Sequence, residues 1–151
     1  MNPQEARRQA GVVGGVEVLP FGLLIFVVGA LLIANAWAVI DTKMATSSAA
    51  REAARTYVEA PDASAGAAAA DRAGRAAIEN YGRPSERLVL TIDAPGAFIR
   101  CTRATVVARY EVPAISLPFG LSLGDVTVTS RHTEIVDPLR TGLGKENTCG
   151  F

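Results

Sequence analysis

The residue with the clearest chemical consequence is Glu17, which stands at the head of a long segment without charge. No charged side chain occurs between Val18 and Ile40, and Arg7 and Arg8 precede the glutamate. As a helix this segment would be about 34 Å long, and the apolar core of a bilayer is about 30 Å thick. A carboxylate at the edge of such a span is poorly solvated. We therefore expect Glu17 to pair with a positive charge; the alternative is that it only marks the membrane interface, exposed to lipid headgroups.

The arginines before the apolar segment predict its orientation. Under the positive-inside tendency, Arg7 and Arg8 keep the N-terminus in the cytoplasm, and the rest of the chain then lies outside the cytoplasmic membrane. Cys101 and Cys149 would be in an oxidising compartment, where they could form a disulfide. Closing that loop would stabilise the fold by about 4 kcal/mol in the chain-entropy model. The alternative is a pair of reduced thiols.

Composition and motifs argue against catalysis. The chain carries 15 basic and 15 acidic residues, so no basic surplus indicates nucleic-acid binding. It contains no serine-hydrolase, phosphate-loop or zinc-protease motif. His132, the only histidine, has no cysteine or acidic cluster at ligand spacing, so we expect it on a surface or sheet edge rather than in a metal site. Asp93, Asp125 and Asp137 adjoin turn residues and are interpreted as turn formers. We expect no catalytic residue, no metal and no cofactor, and a protein that is not an enzyme.

One long helix is predicted to carry the apolar segment out of the membrane. The stretch 42–58 contains neither glycine nor proline and is rich in alanine and arginine, which are strong helix formers. We expect a continuous helix from about Val16 to about Glu59, kinked or loosened near Pro20. Small residues suited to close helix packing, both inward and against neighbouring subunits, recur along it: Ala49, Ala50, Ala53 and Ala54.

A second, alanine-rich helix should follow. Pro61 ends the first helix, and Asp62 or Ser64 can cap the next one. This helix is predicted to run to Tyr81, with Gly82 as its C-terminal stop. Glycines inside it lower its intrinsic stability.

Beyond the helices the apolar pattern changes to a period of two, which is typical of strands. The predicted strands are Arg87–Asp93, Phe98–Val112 and Asp125–Val136. The third loses its alternation near residues 130–134, which indicates a bulge or an edge position. Because such a sheet needs a cover, we predict an α+β fold in which the alanine faces of the helices pack on a small antiparallel sheet of three or four strands.

The segment 113–124 between the second and third strands is rich in proline, glycine and apolar residues. We expect a loop that folds over the core, since this would bury its apolar side chains; a partner contact is the alternative. The side chains concerned are Ile115, Leu117, Phe119 and Leu121.

The ordered combination of features resembles the type IV pilin superfamily, and more closely the TadE-like minor pseudopilins of the tight-adherence pilus. The resemblance is carried by a basic leader, the run GVVGGVE at Gly11–Glu17, the apolar run to Ile40 and the helix AAREAAR at Ala49–Arg55. A Tyr-x-Val-Pro element at Tyr110–Pro113 also matches. The likeness covers the first 58 residues well and the rest loosely.

The resemblance implies a pilin-like fold and a structural role. In such families a prepilin peptidase cuts after a glycine at the cytoplasmic face, and the glutamate is usually the fifth mature residue. A cut after Gly11 would make Glu17 the sixth residue, and a cut after Val12 would make it the fifth. The glutamate would meet the N-terminal amine of a neighbouring subunit and set the axial register. The implied partners are the membrane, other pilin or pseudopilin subunits, the pilus assembly machinery and a prepilin peptidase.

The predicted organisation has four parts: a cytoplasmic leader (1–11), the transmembrane part of the first helix (12–40), its extracytoplasmic part (41–60) and an α+β head (61–151). The protein would be a single-pass component of the cytoplasmic membrane or of a surface pilus. Other interpretations stay open. An uncleaved membrane scaffold of a pilus or secretion machine would share this organisation. The small-residue sites at Ala34–Ala36 and Ala36–Ala38 would instead allow signal-peptidase cleavage and release of a secreted domain.

Overall fold

The computed structural model describes residues 18–143 and Cys149. Its elements are helix α1 (Val18–Glu59), helix α2 (Ala63–Asn80) and the strands β1 (Leu88–Asp93), β2 (Arg103–Ser116) and β3 (Ser122–Ile135). Short 3-10 turns cover Ser85–Arg87 and Pro118–Gly120. This arrangement confirms the predicted α+β class, with its long apolar first helix, second helix and small antiparallel sheet. Contacts divide the chain into two units, Met1–Ala38 and Val39–Phe151.

Helix α2 begins and ends where its sequence predicts. Asp62 is the N-cap, and its Oδ1 accepts hydrogen bonds from the backbone N–H groups of Ser64 and Ala65, both at 2.9 Å. These bonds satisfy donors that the first turn of a helix leaves without partners. At the other end Gly82 has a φ of 68° and donates its N–H to the Glu79 carbonyl at 2.8 Å. This left-handed stop is the conformation that favours glycine.

The sheet is antiparallel with strand order β1–β2–β3, so β2 is the central strand. Side chains of β2 alternate between a buried and a more exposed face. The buried face carries Ala104, Val106, Ala108, Tyr110 and Val112. Because β1 pairs with β2 only between Asp93↔Thr105 and Leu88↔Tyr110, the last part of β2 has β3 as its single neighbour among the described strands.

Strand β3 is an edge strand, as predicted, but the alternative prediction of a bulge is wrong. Its register with β2 is constant from Arg103↔Ile135 to Ser116↔Ser122. The alternation is weak in sequence because polar residues occupy the face that packs toward the core. Ser130, His132 and Glu134 pair with the inward-facing alanines and valine of β2. At a sheet edge such residues keep partial access to water, which is why they are tolerated there.

The core of the second unit lies between the sheet and the helices and consists of two groups of buried side chains. The first contains Ala45, Ala49, Ala50, Ala77, Ile78, Leu88, Ala108, Tyr110, Val112 and Val128. The second contains Ala53, Ala54, Tyr57, Val58, Ala70, Ala104, Val106 and Val136. Later residues of α1 therefore meet earlier residues of β2, so the helix and the central strand run in opposite directions.

The central strand starts later than its sequence pattern predicts. The predicted run began at Phe98, but the chain turns over residues 97–102 and pairing starts at Arg103. Cys101 has a φ of 65° in this turn, which is incompatible with an extended strand. Phe98 instead packs its ring edge-on against Tyr57, with 5.4 Å between centroids and 84° between planes.

The predicted loop 113–124 is the end of a β-hairpin, and the expectation that it folds over the core is wrong. Strand β2 continues through Pro113 to Ser116, and β3 begins at Ser122. The apolar side chains at this end are exposed or half-buried rather than packed inside. We call residues 113–124 the hairpin arm.

Candidate assembly surface

The apolar part of α1 in the first unit is exposed along its described length. By length and composition this helix could cross a membrane, and no residue of its most apolar 18-residue window is buried. The helix passes through Pro20 without interruption. Among the described residues, Gly22 and Gly29 have no atom within 4 Å of the position that a Cβ would occupy, apart from their chain neighbours and the nearby backbone of their own helix. Its exposed large side chains are Val18, Leu19, Phe21, Leu23, Leu24, Ile25, Phe26, Val27, Val28, Leu32, Ile33 and Trp37.

The residues predicted to act in assembly and processing, Glu17, Gly11 and Val12, lie outside the described residues. The first described residue is Val18, which immediately follows the glutamate in sequence. Asn35 is a polar residue within this apolar stretch, and its side chain bonds to the backbone of its own helix. Its Nδ2 donates to the Leu31 carbonyl at 2.8 Å. Such a bond lowers the cost of carrying an amide into an apolar environment.

The alanine stripe predicted for helix packing lies inside the second unit. Ala49, Ala50, Ala53 and Ala54 are fully buried. Their packing partners are the chain's own sheet and α2. The opposite side of this part of α1 carries the charged residues Arg51, Glu52 and Arg55, all exposed. A partner helix docking on this part of α1 would therefore meet charged groups rather than alanines.

Polar contacts hold the part of α1 with which the second unit begins to the rest of that unit. Arg83 donates from Nη2 to Asp41 Oδ2 at 2.6 Å, and the arginine side chain is largely buried. Lys43 donates from Nζ to the Thr129 carbonyl of β3. Asp41 and Lys43, one partner of each bond, are the first charged residues after the uncharged segment. The charges at the end of the apolar segment are thus engaged with the folded unit.

A shallow groove of about 420 Å³ runs beside these contacts. Its lining residues come from one side of α1 and the end of α2: Lys43, Met44, Ser47, Ser48, Arg51 and Tyr81. Met44 and Tyr81 are exposed in it. The mixture of hydroxyl, cationic and apolar groups is suited to a protein surface contact rather than to a chemical reaction.

The far end of the second unit is fastened by a different set of polar contacts. Arg140 donates from Nη1 to the Val58 carbonyl at 2.8 Å, near the C-terminal end of α1. Arg55 and Glu59 form an exposed ion pair on the same helix at 2.9 Å. The hydrogen bond and the negative charge of Glu59 raise the pKa of Arg55. Exposed pairs of this kind add little to stability.

The two cysteines lie at disulfide distance, in agreement with their predicted pairing. Cys101 and Cys149 form a disulfide with 5.3 Å between Cα atoms. The backbone N–H of Cys101 also donates to the Val136 carbonyl at 2.9 Å. The disulfide therefore ties the C-terminal region to the turn before β2, next to the end of β3.

The polar residues that could suggest a metal site or catalysis lie instead in strands or in a turn. His132 Nε2 lies 2.9 Å from Glu134 Oε1 on the edge strand, and no group of three potential metal ligands occurs among the described residues. Asp137 is a turn former, since its Oδ1 accepts from the Leu139 N–H at 2.8 Å. Asp125 is not, because it lies inside β3 opposite Pro113.

The hairpin arm is the surface feature that sequence reasoning missed. Its tip is a turn in which Phe119 and Gly120 both have positive φ angles, 67° and 77°. The side chain of Phe119 is fully exposed, and Leu121 and Leu123 are exposed at 63% and 59%. A signal was present in the sequence, because apolar residues alternate on either side of a Phe-Gly dipeptide, as hairpin strands flanking a tight turn do.

Comparison of the chain with protein-family models, curated proteins and solved structures finds no match.

Proposed function

We propose that this protein is a TadE-like minor pilin or pseudopilin subunit with a structural rather than an enzymatic role. Its apolar segment anchors it in the cytoplasmic membrane, with the N-terminus cytoplasmic and the α+β unit extracytoplasmic. During assembly the same segment leaves the lipid and packs against the corresponding helices of other subunits of a pilus or secretion filament.

A single observation carries this proposal: one helix combines two segments with different solvation. From Val18 to Trp37 its large aliphatic and aromatic side chains are exposed, except Leu31, which is half-buried. From Ala45 to Val58 the same helix buries small residues against its own sheet. An exposed apolar surface of this size is unfavourable in water, so the first part requires lipid or neighbouring helices. A subunit that moves from a membrane into a helical bundle would meet both environments in turn.

Glu17 would act as the carboxylate that sets register in the filament. In an apolar bundle a carboxylate without a counter-charge is strongly destabilising, so assembly should select the arrangement in which it meets a neighbour's N-terminal amine. Glu17→Leu and Glu17→Gln should both reduce incorporation into sheared surface filaments while leaving the protein in the membrane fraction. Glu52→Gln is the matched control, because Glu52 is an exposed carboxylate on α1 outside the uncharged segment. Unchanged incorporation of both Glu17 variants would disprove this role.

The N-terminus of the mature protein separates the proposal from its alternatives. N-terminal sequencing of the membrane-associated or exported protein should give a start near residue 12 or 13, after Gly11 or Val12. A start at Met1, with strict retention in membranes, would instead identify an uncleaved scaffold of a pilus or secretion machine. A start near residue 37 or 39 would identify a secreted domain. The uninterrupted course of α1 through Ala36 and Ala38 supports the first two outcomes over the third.

Co-purification is the second test of a filament role. The protein should be recovered with filaments sheared from the cell surface, and the recovered form should carry the processed N-terminus. Recovery only in washed membranes would contradict a place in the filament. It would leave the anchoring function of the apolar segment intact.

A further inference from the structure

The hairpin arm projects from a defined end of the second unit. Lys43 donates to the Thr129 carbonyl, and Arg140 donates to the Val58 carbonyl. Together with the reversed order of core contacts, these bonds show that the chain passes Lys43 within β3 and reaches Val58 only after β3 has ended. The residues before Thr129 therefore run toward the end of the unit at which its helical segment begins, Val39.

Strand geometry shows how far the arm reaches. From Thr129 back to Leu121 the extended chain covers about 26 Å, at roughly 3.3 Å per residue. From Lys43 back to Val39 the helix covers only about 6 Å. The tip of the arm thus extends beyond the first helical residue of its own unit. This is the end at which the chain continues into the uncharged segment.

The composition of the arm is that of a surface for an apolar environment. No charged residue occurs from Pro113 to Gly124. The register places the large apolar side chains together on the face of the hairpin opposite the helices: Ile115, Leu117, Leu121 and Leu123. The other face carries small residues, among them Ser116 and Ser122. One face of the arm is therefore apolar and the other carries small residues. Further along the sheet, the face that is apolar in the arm carries charged and hydroxyl groups such as Arg109 and Thr127.

The turn at the tip adds an independent observation. Phe119 has φ 67° and ψ 21°, a left-handed conformation that is strained for a bulky side chain. Burial of the ring within the second unit does not offset this strain, because the residue is fully exposed. A strained backbone that presents an uncovered aromatic ring indicates a contact made outside the folded unit.

We propose that the hairpin arm is a membrane-docking element, which inserts Phe119 and lays its apolar face into the interface of the bilayer that holds the apolar segment. The proposal rests on the membrane anchorage proposed above. Two observations favour lipid over a protein partner. The arm lies at the end where the chain enters the anchor. Specific protein interfaces use about 20–30 residues a side, whereas the arm offers five large apolar side chains. An aromatic tip and aliphatic flanks are typical of groups that settle at the headgroup level.

The chain's single tryptophan, Trp37, makes a direct test possible. The full-length protein is reconstituted in phosphatidylcholine vesicles with or without bromine atoms on the acyl chains near the glycerol. Wild-type Trp37 fluorescence reports whether the apolar segment is in lipid. Phe119→Trp and Leu121→Trp, each in a Trp37→Phe background, report on the arm. Leu139→Trp in the same background is the control, because Leu139 is 86% exposed and lies beside Arg140 at the opposite end of the unit.

The expected result is that the arm tryptophans lose most of their emission in brominated vesicles and emit at shorter wavelength, while Leu139→Trp is unaffected. If Trp37 is quenched but neither arm tryptophan is, the docking proposal is wrong and the anchor stands. If no tryptophan is quenched, the proposed anchorage fails and the docking proposal falls with it. If brominated lipid does not quench the arm tryptophans, but their emission changes as the protein-to-lipid ratio rises, the arm binds another copy of the chain. This result also overturns the proposal.

Discussion

Replacing the two internal glycines of α2 by alanine should have unequal effects on stability. Gly66 and Gly74 lie on the same helix, and alanine is about 1 kcal/mol more favourable than glycine in a helix interior. Propensity alone therefore predicts that both substitutions stabilise the protein equally. The neighbours of the added methyl group differ, and they decide the outcome.

At Gly66 the added Cβ would meet rigid groups. It would lie 2.9 Å from the Tyr57 carbonyl oxygen, 3.1 Å from the ring carbon Cδ2 of Tyr57 and 3.3 Å from the Cβ of Ala60. Because the first of these is backbone, α1 and α2 must move apart. Overpacking of this kind costs about 1–3 kcal/mol. After subtraction of the propensity gain, Gly66→Ala should lower the free energy of unfolding by about 1 kcal/mol.

At Gly74 the close contact is with the end of a side chain. The added Cβ would lie 2.6 Å from Leu90 Cδ1, whereas Ala49 O and Ala53 Cβ lie at an ordinary 3.5 Å. Leu90 is only partly buried, so its methyl group can rotate aside. A displaced rotamer costs about 0.5–1.5 kcal/mol. This offsets the propensity gain, and Gly74→Ala should change the free energy of unfolding by less than about 0.5 kcal/mol.

Thermal unfolding of the full chain in mild detergent, followed by circular dichroism, measures the contrast. At roughly 2–8 °C per kcal/mol, the range that covers domains from about 60 to about 250 residues, Gly66→Ala should lower Tm by a few degrees and Gly74→Ala should leave it nearly unchanged. Equal shifts in the two variants would refute the inference that backbone proximity at Tyr57 decides the outcome. A rise in Tm for Gly66→Ala would show that α2 approaches α1 less closely than the structure indicates.

Further predictions concern three other contacts. Tyr110→Phe should lower the free energy of unfolding by about 1 kcal/mol, because the phenol donates a 2.9 Å hydrogen bond to the Pro84 carbonyl. Burial raises the pKa of Tyr110, so its contribution is complete below about pH 10 and is lost as pH rises through the folded-state pKa; a Tm-against-pH series should show a weaker alkaline loss in the variant. Cys101→Ser with Cys149→Ser should cost up to about 4 kcal/mol in urea unfolding, since the disulfide spans 48 residues of sequence, and an unchanged midpoint would contradict a stabilising crosslink. Hydrogen bonds from a serine hydroxyl and a backbone N–H lower the pKa of Asp62, so its contribution is present above about pH 4 and is lost as pH falls through the folded-state pKa; Asp62→Asn should weaken the acid dependence of Tm.

The helices could be predicted from the sequence because their limits depend on local chemistry. Pro61, Asp62 and Gly82 specify an end, a cap and a stop through their own backbone and side-chain geometry. The three strands could also be predicted, since three runs alternate with a period of two, although the prediction left a fourth strand open. The role of Gly66 was not, because it follows from how closely α2 approaches Tyr57 across the helix pair, which is a tertiary contact.

The hairpin arm was not predicted, because the proline and glycine cues in its sequence favour a loop more strongly than its alternating apolar residues favour a hairpin. Prolines and glycines in 113–124 are turn signals, and a proline normally argues against a central strand. Pro113 is tolerated because β1 ends opposite Tyr110, so from that point β2 pairs with β3 alone. The apolar residues of the arm are also exposed or half-buried, whereas the prediction of a loop folded over the core assumed that they are buried. That assumption fails at the arm, where Phe119, Leu121 and Leu123 are exposed.

The division of α1 by side-chain size connects the fold to the proposed function. Up to Trp37 the helix presents leucine, isoleucine, valine and phenylalanine, which favour lipid strongly. From Ala45 onward it presents alanine to the sheet, so helix and sheet approach closely and the larger side chains of Tyr57 and Tyr110 fill the remaining space. Alanine alone is too weakly apolar to hold a helix in a bilayer, and a helix of leucines throughout would keep the sheet at a distance. Under the proposed function, the change of side-chain size along one helix suits its first part to lipid and its later part to close packing within the folded unit.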